Sequence, residues 1–196
     1  GTSGGEIVVN GDAVIEQLGS ITADASTGNG GTVTLHSGDT TALRGNSVVS
    51  ASSDAGQGGN INLLGPQVGV FDSATVAANG GAGGGTIHLG GEQQGGGSTP
   101  TSRAVYIGTN GTVSADATDD GDGGRVIVYG DEVARVFGSL SARGGANGGD
   151  GGFVETSGRQ NLNIVSVPDV TAPKGKTGEW LIDPNDISIV AGAGNT

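Results

Sequence analysis

A glycine-led strand motif recurs along this 196-residue chain and limits what it can fold into. In six of the seven copies a glycine pair opens the motif, and the last glycines of the copies are Gly5, Gly31, Gly59, Gly85, Gly124, Gly152 and Gly178. They are 26, 28, 26, 39, 28 and 26 residues apart. This is a period of about 27 residues, interrupted by one insertion of about a dozen, and it predicts stacked structural repeats.

Each motif alternates apolar and polar residues. The second residues after the glycines are Ile7, Val33, Ile61, Ile87, Val126, Val154 and Trp180, and the fourth are Val9, Leu35, Leu63, Leu89, Val128, Thr156 and Ile182. The residues between them are mostly polar, as in Thr32 and Thr34. This period of two predicts a strand with one face in a core and the other in water.

Two further strand signals follow within each repeat. An apolar-x-Ala signature appears as Ile21-Ala23, Val49-Ala51, Val76-Ala78, Val113-Ala115, Leu140-Ala142 and Val170-Ala172. A weaker strand precedes it, for example at 68–71 and 133–137. Three short strands per repeat, joined by Gly, Asn and Asp turns, predict an all-β parallel β-solenoid of about seven coils, which forms a single segment over 1–196. The string "GGDGGFVETSG" at 148–158 is then a corner that leads into a first strand.

Composition and charge exclude several partners. The net charge is −12, with eight basic residues and no basic cluster, so we expect neither nucleic acid nor an anionic membrane surface to bind. No apolar stretch reaches the length needed to cross a bilayer, so we expect no membrane insertion. The chain has no cysteine and opens on "GTSGGE" without a signal peptide. We therefore expect a piece of a longer secreted protein.

Four strings carry a family resemblance: "GGFVETSG" (151–158), "LSARGGANGGDGG" (140–152), "GEWLIDPNDISIV" (178–190) and the stretch 63–95. They resemble the filamentous-haemagglutinin-like exoproteins of the two-partner secretion family. The resemblance implies a right-handed parallel β-helix that is exported through a dedicated outer-membrane transporter pore and is secreted or held at the bacterial surface. No "NPNG" or "NPNL" motif of the family's secretion domain occurs. We therefore expect the body of an exoprotein rather than its secretion signal.

The long fourth repeat contains an insertion at about 92–111, rich in Gly, Ser, Thr and Pro. Insertions in repeat proteins form loops on one face, and such loops often carry recognition. Arg103 and Tyr106 are the candidate contact residues there, because both residue types are favoured in binding hot spots. The alternative is a decoration of the scaffold.

An acidic loop in the same repeat is a weak calcium candidate. It contains Asp116, Asp119, Asp120 and Asp122, and calcium prefers such oxygen ligands. Solvated acidic turns are the alternative that we favour, since the nine-residue period of calcium-binding β-rolls is absent.

Other motifs favour structural roles. The glycine-rich string "GGAGGGT" lacks the GK[ST] of a phosphate-binding loop. Two pairs of carboxylates could serve a hydrolase, but neither pattern favours it. Asp131 and Glu132 are adjacent and should point to opposite faces unless the strand is broken, and Asp183 and Asp186 belong to a turn. His36 and His88 occupy different repeat positions, which does not suit a metal centre. We also expect Trp180 to plug the end of the narrow core. These patterns predict no enzymatic activity and no cofactor.

The expected function is a stiff rod that displays, or contributes to, binding of host cells, other bacteria or polysaccharide. The alternatives are a stalk that presents a toxin domain and a carbohydrate-active β-helix enzyme; an ice-binding face is disfavoured because no regular Thr array is stacked. Unpaired strand edges at the ends of the rod also predict end-to-end self-association.

Overall fold

The computed structural model describes residues 1–185, which form seventeen strands, one 3-10 turn at Gln93–Gly95 and no α-helix. The strands are β1 (Glu6–Gly11), β2 (Val14–Gln17), β3 (Ser20–Thr22), β4 (Thr32–Ser37), β5 (Thr40–Leu43), β6 (Val48–Ser50), β7 (Asn60–Leu64), β8 (Gln67–Val70), β9 (Thr75–Ala77), β10 (Thr86–Leu89), β11 (Ser102–Ile107), β12 (Thr112–Ser114), β13 (Arg125–Val136), β14 (Ser139–Ser141), β15 (Phe153–Gly158), β16 (Asn161–Ile164) and β17 (Glu179–Ile182). In the described range no helix is long and apolar enough to cross a membrane.

The strands stack in three parallel rows. The first row is β1, β4, β7, β10, the first half of β13, β15 and β17. The second row is β2, β5, β8, β11, the second half of β13 and β16, and the third is β3, β6, β9, β12 and β14. The seven first-row strands begin six complete coils and a partial seventh coil within the described residues. The predicted β-solenoid is therefore confirmed.

The register of the first row matches the alternation in the sequence. Ile7 pairs with Val33, Val33 with Ile61, and the same column continues to Trp180. Side chains in the middle of this column are fully buried, whereas the end residues Ile7 and Trp180 are only partly buried against the core. The core is therefore a narrow stack of like residues, as expected when neighbouring strands lie about 4.8 Å apart.

Glycine is required where consecutive coils touch. The Gly31 N–H donates a hydrogen bond of 2.8 Å to the Ala23 carbonyl, and this bond closes the first coil. A Cβ on Gly31 would lie 1.9 Å from the Gly5 carbonyl oxygen of the coil before, and a Cβ on Gly59 would lie 1.9 Å from the Gly31 carbonyl oxygen. The glycine column thus exists because these backbones approach too closely for any side chain.

The apolar-x-Ala signature was aligned wrongly in the last coil. Gly152 N–H closes its coil on the Ala142 carbonyl, and Gly178 N–H closes the next on the Val170 carbonyl. Asp169 pairs with Ser141, so Val170 occupies the alanine position and the buried Pro168 takes the place of Leu140. The signature Val170-Ala172 is therefore displaced by two residues.

The insertion is shorter than the range 92–111 suggested. Residues 102–107 form β11, which pairs with β8 and β13 and buries Val105 and Ile107 in the core. The extra residues are confined to about 91–101, between β10 and β11, and this segment is called the insertion below.

Candidate functional site

The insertion folds back over the outward face of the first row. Its 3-10 turn contains Gln94 in the left-handed region, at φ 55°. The backbone N–H of Gln94 donates to Glu155 Oε1 at 2.9 Å, across two coils. Arg125 Nη2 also donates to Gln93 Oε1 at 2.6 Å. Two adjacent residues of its turn therefore fasten the insertion to the rod.

This cover buries residues that the alternation placed in water. Ile127 and Glu155 lie at outward positions, yet both are fully buried, and Tyr129 is 3% exposed. Gly95 packs against the Tyr129 ring so closely that a Cβ there would lie 2.4 Å from it. Glu155 Oε1 also accepts from the Ser157 hydroxyl at 2.7 Å, while Oε2 has no hydrogen-bond partner within residues 1–185.

Beside the insertion lies a polar cleft with two lobes, of about 500 and 410 Å³. The first lobe is lined by Gln94, Gly95, Thr101, Tyr129, Asp131, Arg159, Asp183 and Asn185. The second is lined by Arg103, Asp131, Glu132, Arg159, Gln160 and Asn185. Asp131, Arg159 and Asn185 line both lobes, so the two cavities adjoin at the corner between the first and second rows.

Asp131 lies at the junction of the two lobes and is held by three groups. Its carboxylate accepts from the Tyr129 hydroxyl at 3.1 Å and from the Thr101 hydroxyl, and it pairs with Arg159 Nη1 at 3.6 Å. Burial, together with the neighbouring Asp131 carboxylate, raises the pKa of Tyr129 above its usual value. The phenol therefore stays protonated and donates to Asp131 at neutral pH.

The two candidate contact residues lie on different surfaces. Arg103 lines the second lobe of the cleft. Tyr106 lies on the outward face of the second row, where it stacks on Phe71 at 5.1 Å and meets Phe137 edge-on at 5.8 Å. It borders a separate groove of about 250 Å³, so the structure does not bring Arg103 and Tyr106 into one site.

The acidic loop is occupied by protein partners. Asp116 is buried and accepts from Arg143 Nη2 at 2.7 Å and Nε at 3.0 Å. Asp119 accepts from the Asn147 side chain at 2.6 Å, and Asp122 accepts from a backbone N–H of the next coil at 2.7 Å. Asp120 is exposed. Within residues 1–185 no three His, Cys, Asp or Glu side chains are grouped as they would be around a metal ion.

Sequence reasoning missed a recurring role for such aspartates and asparagines. Side-chain oxygens at the corners accept backbone N–H groups one coil further on. The pairs are Asp24 with Ser52, Asn29 with Gln57, Asp122 with Asp150, and Asp150 with Lys176, at 2.7 to 3.0 Å. The signal that could have revealed them is the spacing of 26 to 28 residues between each acceptor and its donor.

The structure also shows where the remaining candidate carboxylates and Trp180 lie. Asp131 and Glu132 both line the second lobe, because the chain turns a corner between Gly130 and the second-row half of β13. Asp183 lines the first lobe, and Asp186 lies outside the described residues. Trp180 packs at the end of the core and donates to the Thr156 hydroxyl at 3.0 Å.

The two histidines do not meet. His88 lies on the outward face of the first row, with Nδ1 3.1 Å from Asn62 Oδ1. Asn62 in turn donates to the Thr34 hydroxyl at 3.2 Å. Burial lowers the pKa of His88 below its usual value of 6.5, and this effect outweighs the attraction of Glu92. His36 is on strand β4, in a different column of the same row.

Comparison with solved structures finds proteins of similar fold. The crystal structure of the HMW1 secretion domain from Haemophilus influenzae superimposes with a TM-score of 0.71 and 27% sequence identity. The chain is similar to a bacterial secretion domain. The match covers 91% of this chain and 48% of that domain, so the chain spans about half of its length. No family model and no curated protein sequence matches the chain.

Proposed function

We propose that this chain is a secreted β-solenoid segment of a two-partner secretion exoprotein, exported through an outer-membrane transporter, and that it contributes adhesive surface. The observation that carries the proposal is the likeness to the HMW1 secretion domain over 91% of the chain. Stacked coils that, apart from the insertion, contact only their neighbours suit a protein that emerges through a pore and folds as it does so.

The adhesive part of the proposal rests on the insertion and the cleft beside it. Elsewhere in residues 1–185 the coils repeat with few irregularities, whereas here a loop covers the rod and opens a cleft lined by charged and amide side chains. Loops on a rigid scaffold are common binding sites because the scaffold holds their geometry. The rod would then support the cleft and present it to a cell surface.

The test is saturable binding of the purified chain to epithelial cells, bacteria and immobilised polysaccharide. A variant in which residues 93–99 are replaced by a two-residue Gly-Ser link should lose binding, and circular dichroism should show that its β-structure is retained. A matched variant, Tyr106→Ala, alters the separate groove and should bind normally. Equal binding by the insertion variant would show that adhesion does not use this surface.

A second candidate function is recognition by the transporter itself. The similar structure is a secretion domain. This likeness favours a segment that the transporter recognises during export, whereas the missing "NPNG" motif predicted the body of an exoprotein. An immobilised two-partner transporter should then bind the unfolded chain saturably. If the chain supports export of a fused reporter only when an authentic secretion domain is added, this second function is wrong.

A further inference from the structure

The cleft beside the insertion has the side-chain chemistry of a site for hydroxyl-rich ligands. Amide, carboxylate and guanidinium groups line it, contributed by Gln94, Asp131, Arg159, Gln160 and Asn185. In one plane a carboxylate accepts two hydrogen bonds, a guanidinium donates two, and an amide donates one and accepts one, which matches a pair of adjacent hydroxyls. We infer that the cleft binds the neutral, diol-bearing end of a glycan. This inference rests on the adhesive function proposed above.

The cleft is preorganised for such a ligand. Asp131 is already fixed by Tyr129, Thr101 and Arg159. Gln94 is fixed through its backbone by the buried Glu155. Because these groups are immobile before binding, little conformational entropy is lost when a sugar enters.

Charge decides between neutral and acidic glycans. Three carboxylates line the two lobes, from Asp131, Glu132 and Asp183, against two guanidinium groups, from Arg103 and Arg159. Arg159 is paired with Asp131, and the chain as a whole carries −12. A sialylated, sulfated or uronic-acid end would meet net negative charge, so these glycans should be rejected.

Size is consistent with one or two sugar rings. The lobes of about 500 and 410 Å³ meet at Asp131 and are within the usual range of ligand pockets, roughly 300 to 1,000 Å³. We therefore expect the first lobe to hold the terminal residue of a glycan and the second lobe, with Arg103, to contact the next.

The experiment is a direct binding titration of the 196-residue chain against immobilised glycans that end in neutral hexoses, each compared with its sialylated counterpart. We expect binding of at least one neutral glycan, and at least tenfold weaker binding of its sialylated form. Asp131→Asn and Gln160→Ala should each weaken binding about tenfold. The matched control is Asp39→Asn, an exposed aspartate at the same corner two coils before the insertion-bearing coil.

Each result supports or overturns the inference. Preference for sialylated glycans would show that the ligand class is wrong, and binding unchanged in Asp131→Asn would show that the site is elsewhere. If cells bind the chain through the insertion while no neutral glycan does, this inference fails and the adhesive function stands with another receptor. If neither cells nor glycans bind, both proposals fail.

Discussion

Arg143, in the following coil, donates two hydrogen bonds to Asp116 Oδ2, from Nη2 at 2.7 Å and from Nε at 3.0 Å. The backbone N–H of Arg143 also donates to Asp116 Oδ1 at 2.7 Å. The carboxylate is 5% exposed, whereas the arginine side chain is 54% exposed. The pair therefore joins two coils through a buried acceptor and a partly hydrated donor.

Removal of this acceptor should destabilise the rod. We expect Asp116→Ala to lower the free energy of unfolding by about 2 to 3 kcal/mol, because a buried backbone N–H and a charged donor lose their partner. Urea unfolding followed by circular dichroism measures the change. Asp120→Ala, in the same loop and exposed, should cost less than about 0.5 kcal/mol.

The same pair predicts the response to calcium. Because Arg143 already occupies Asp116, we expect 5 mM calcium or EDTA to leave the melting temperature within about 1 °C. Differential scanning calorimetry tests this. A calcium-dependent rise that disappears in Asp119→Asn would restore the acidic loop as a metal site.

The glycine column predicts that the same Gly→Ala substitution changes stability differently at different coils. Gly31→Ala should destabilise the chain by about 3 kcal/mol or more, since its Cβ would collide with the Gly5 carbonyl and backbone would have to move. Gly5 has the same place in the first coil, but a Cβ there has nothing within 4 Å. Gly5→Ala should therefore be nearly neutral, and similar losses in both variants would contradict the close-approach explanation.

The buried column predicts cooperative loss of structure. Ile87 is fully buried between Ile61 and Val126, so Ile87→Ala should cost about 2 to 5 kcal/mol through lost burial and a cavity. The single tryptophan, Trp180, reports the last coil. Tryptophan fluorescence and circular dichroism should shift together, and Asn60→Ala on the wet face should shift neither.

The lowered pKa of His88 predicts weaker stability in mild acid. Burial disfavours the charged ring in the folded state, so below the ordinary value of 6.5 the unfolded chain takes up the proton more readily. Stability should fall as pH decreases from about 6.5 towards the folded pKa. His88→Asn should remove this dependence in thermal melts between pH 7 and pH 5, and His36→Asn should retain it, because His88 remains.

End-to-end association remains a prediction. The core column is only partly covered at Ile7, whereas Val33 in the next coil is fully buried. Sedimentation velocity at rising concentration should show self-association, and Val8→Lys on β1 should reduce it, because a charged edge strand resists pairing. Asn60→Lys on the central strand β7 is the control.

Much of the architecture could be predicted because its signals are local. Alternation within six residues indicated which side chains face the core, as at Val33 and Leu35, and the period of the glycines indicated which residues would stack. The segment 168–170, which follows β14 in the third row, was misaligned because it does not carry the signature, and only the backbone pairing of Asp169 with Ser141 shows its register.

The candidate site was predicted only in part. Arg103 was singled out from residue type and does line the cleft, whereas Asp131, Arg159 and Gln94 were not recognised as its neighbours. Asp131 and Arg159 belong to two different coils and Gln94 to the insertion. No local sequence pattern indicates how a loop folds back on a rod.

The sequence by itself therefore determined the coil, the row positions and the composition of the core, because hydrophobic alternation acts between neighbours along the chain. The tertiary structure alone decided which outward residues are buried. Gln94 reaches Glu155 across 61 residues and turns a face predicted to be wet into the covered wall of a cleft. That contact depends on the path of the insertion through space, which no local pattern encodes.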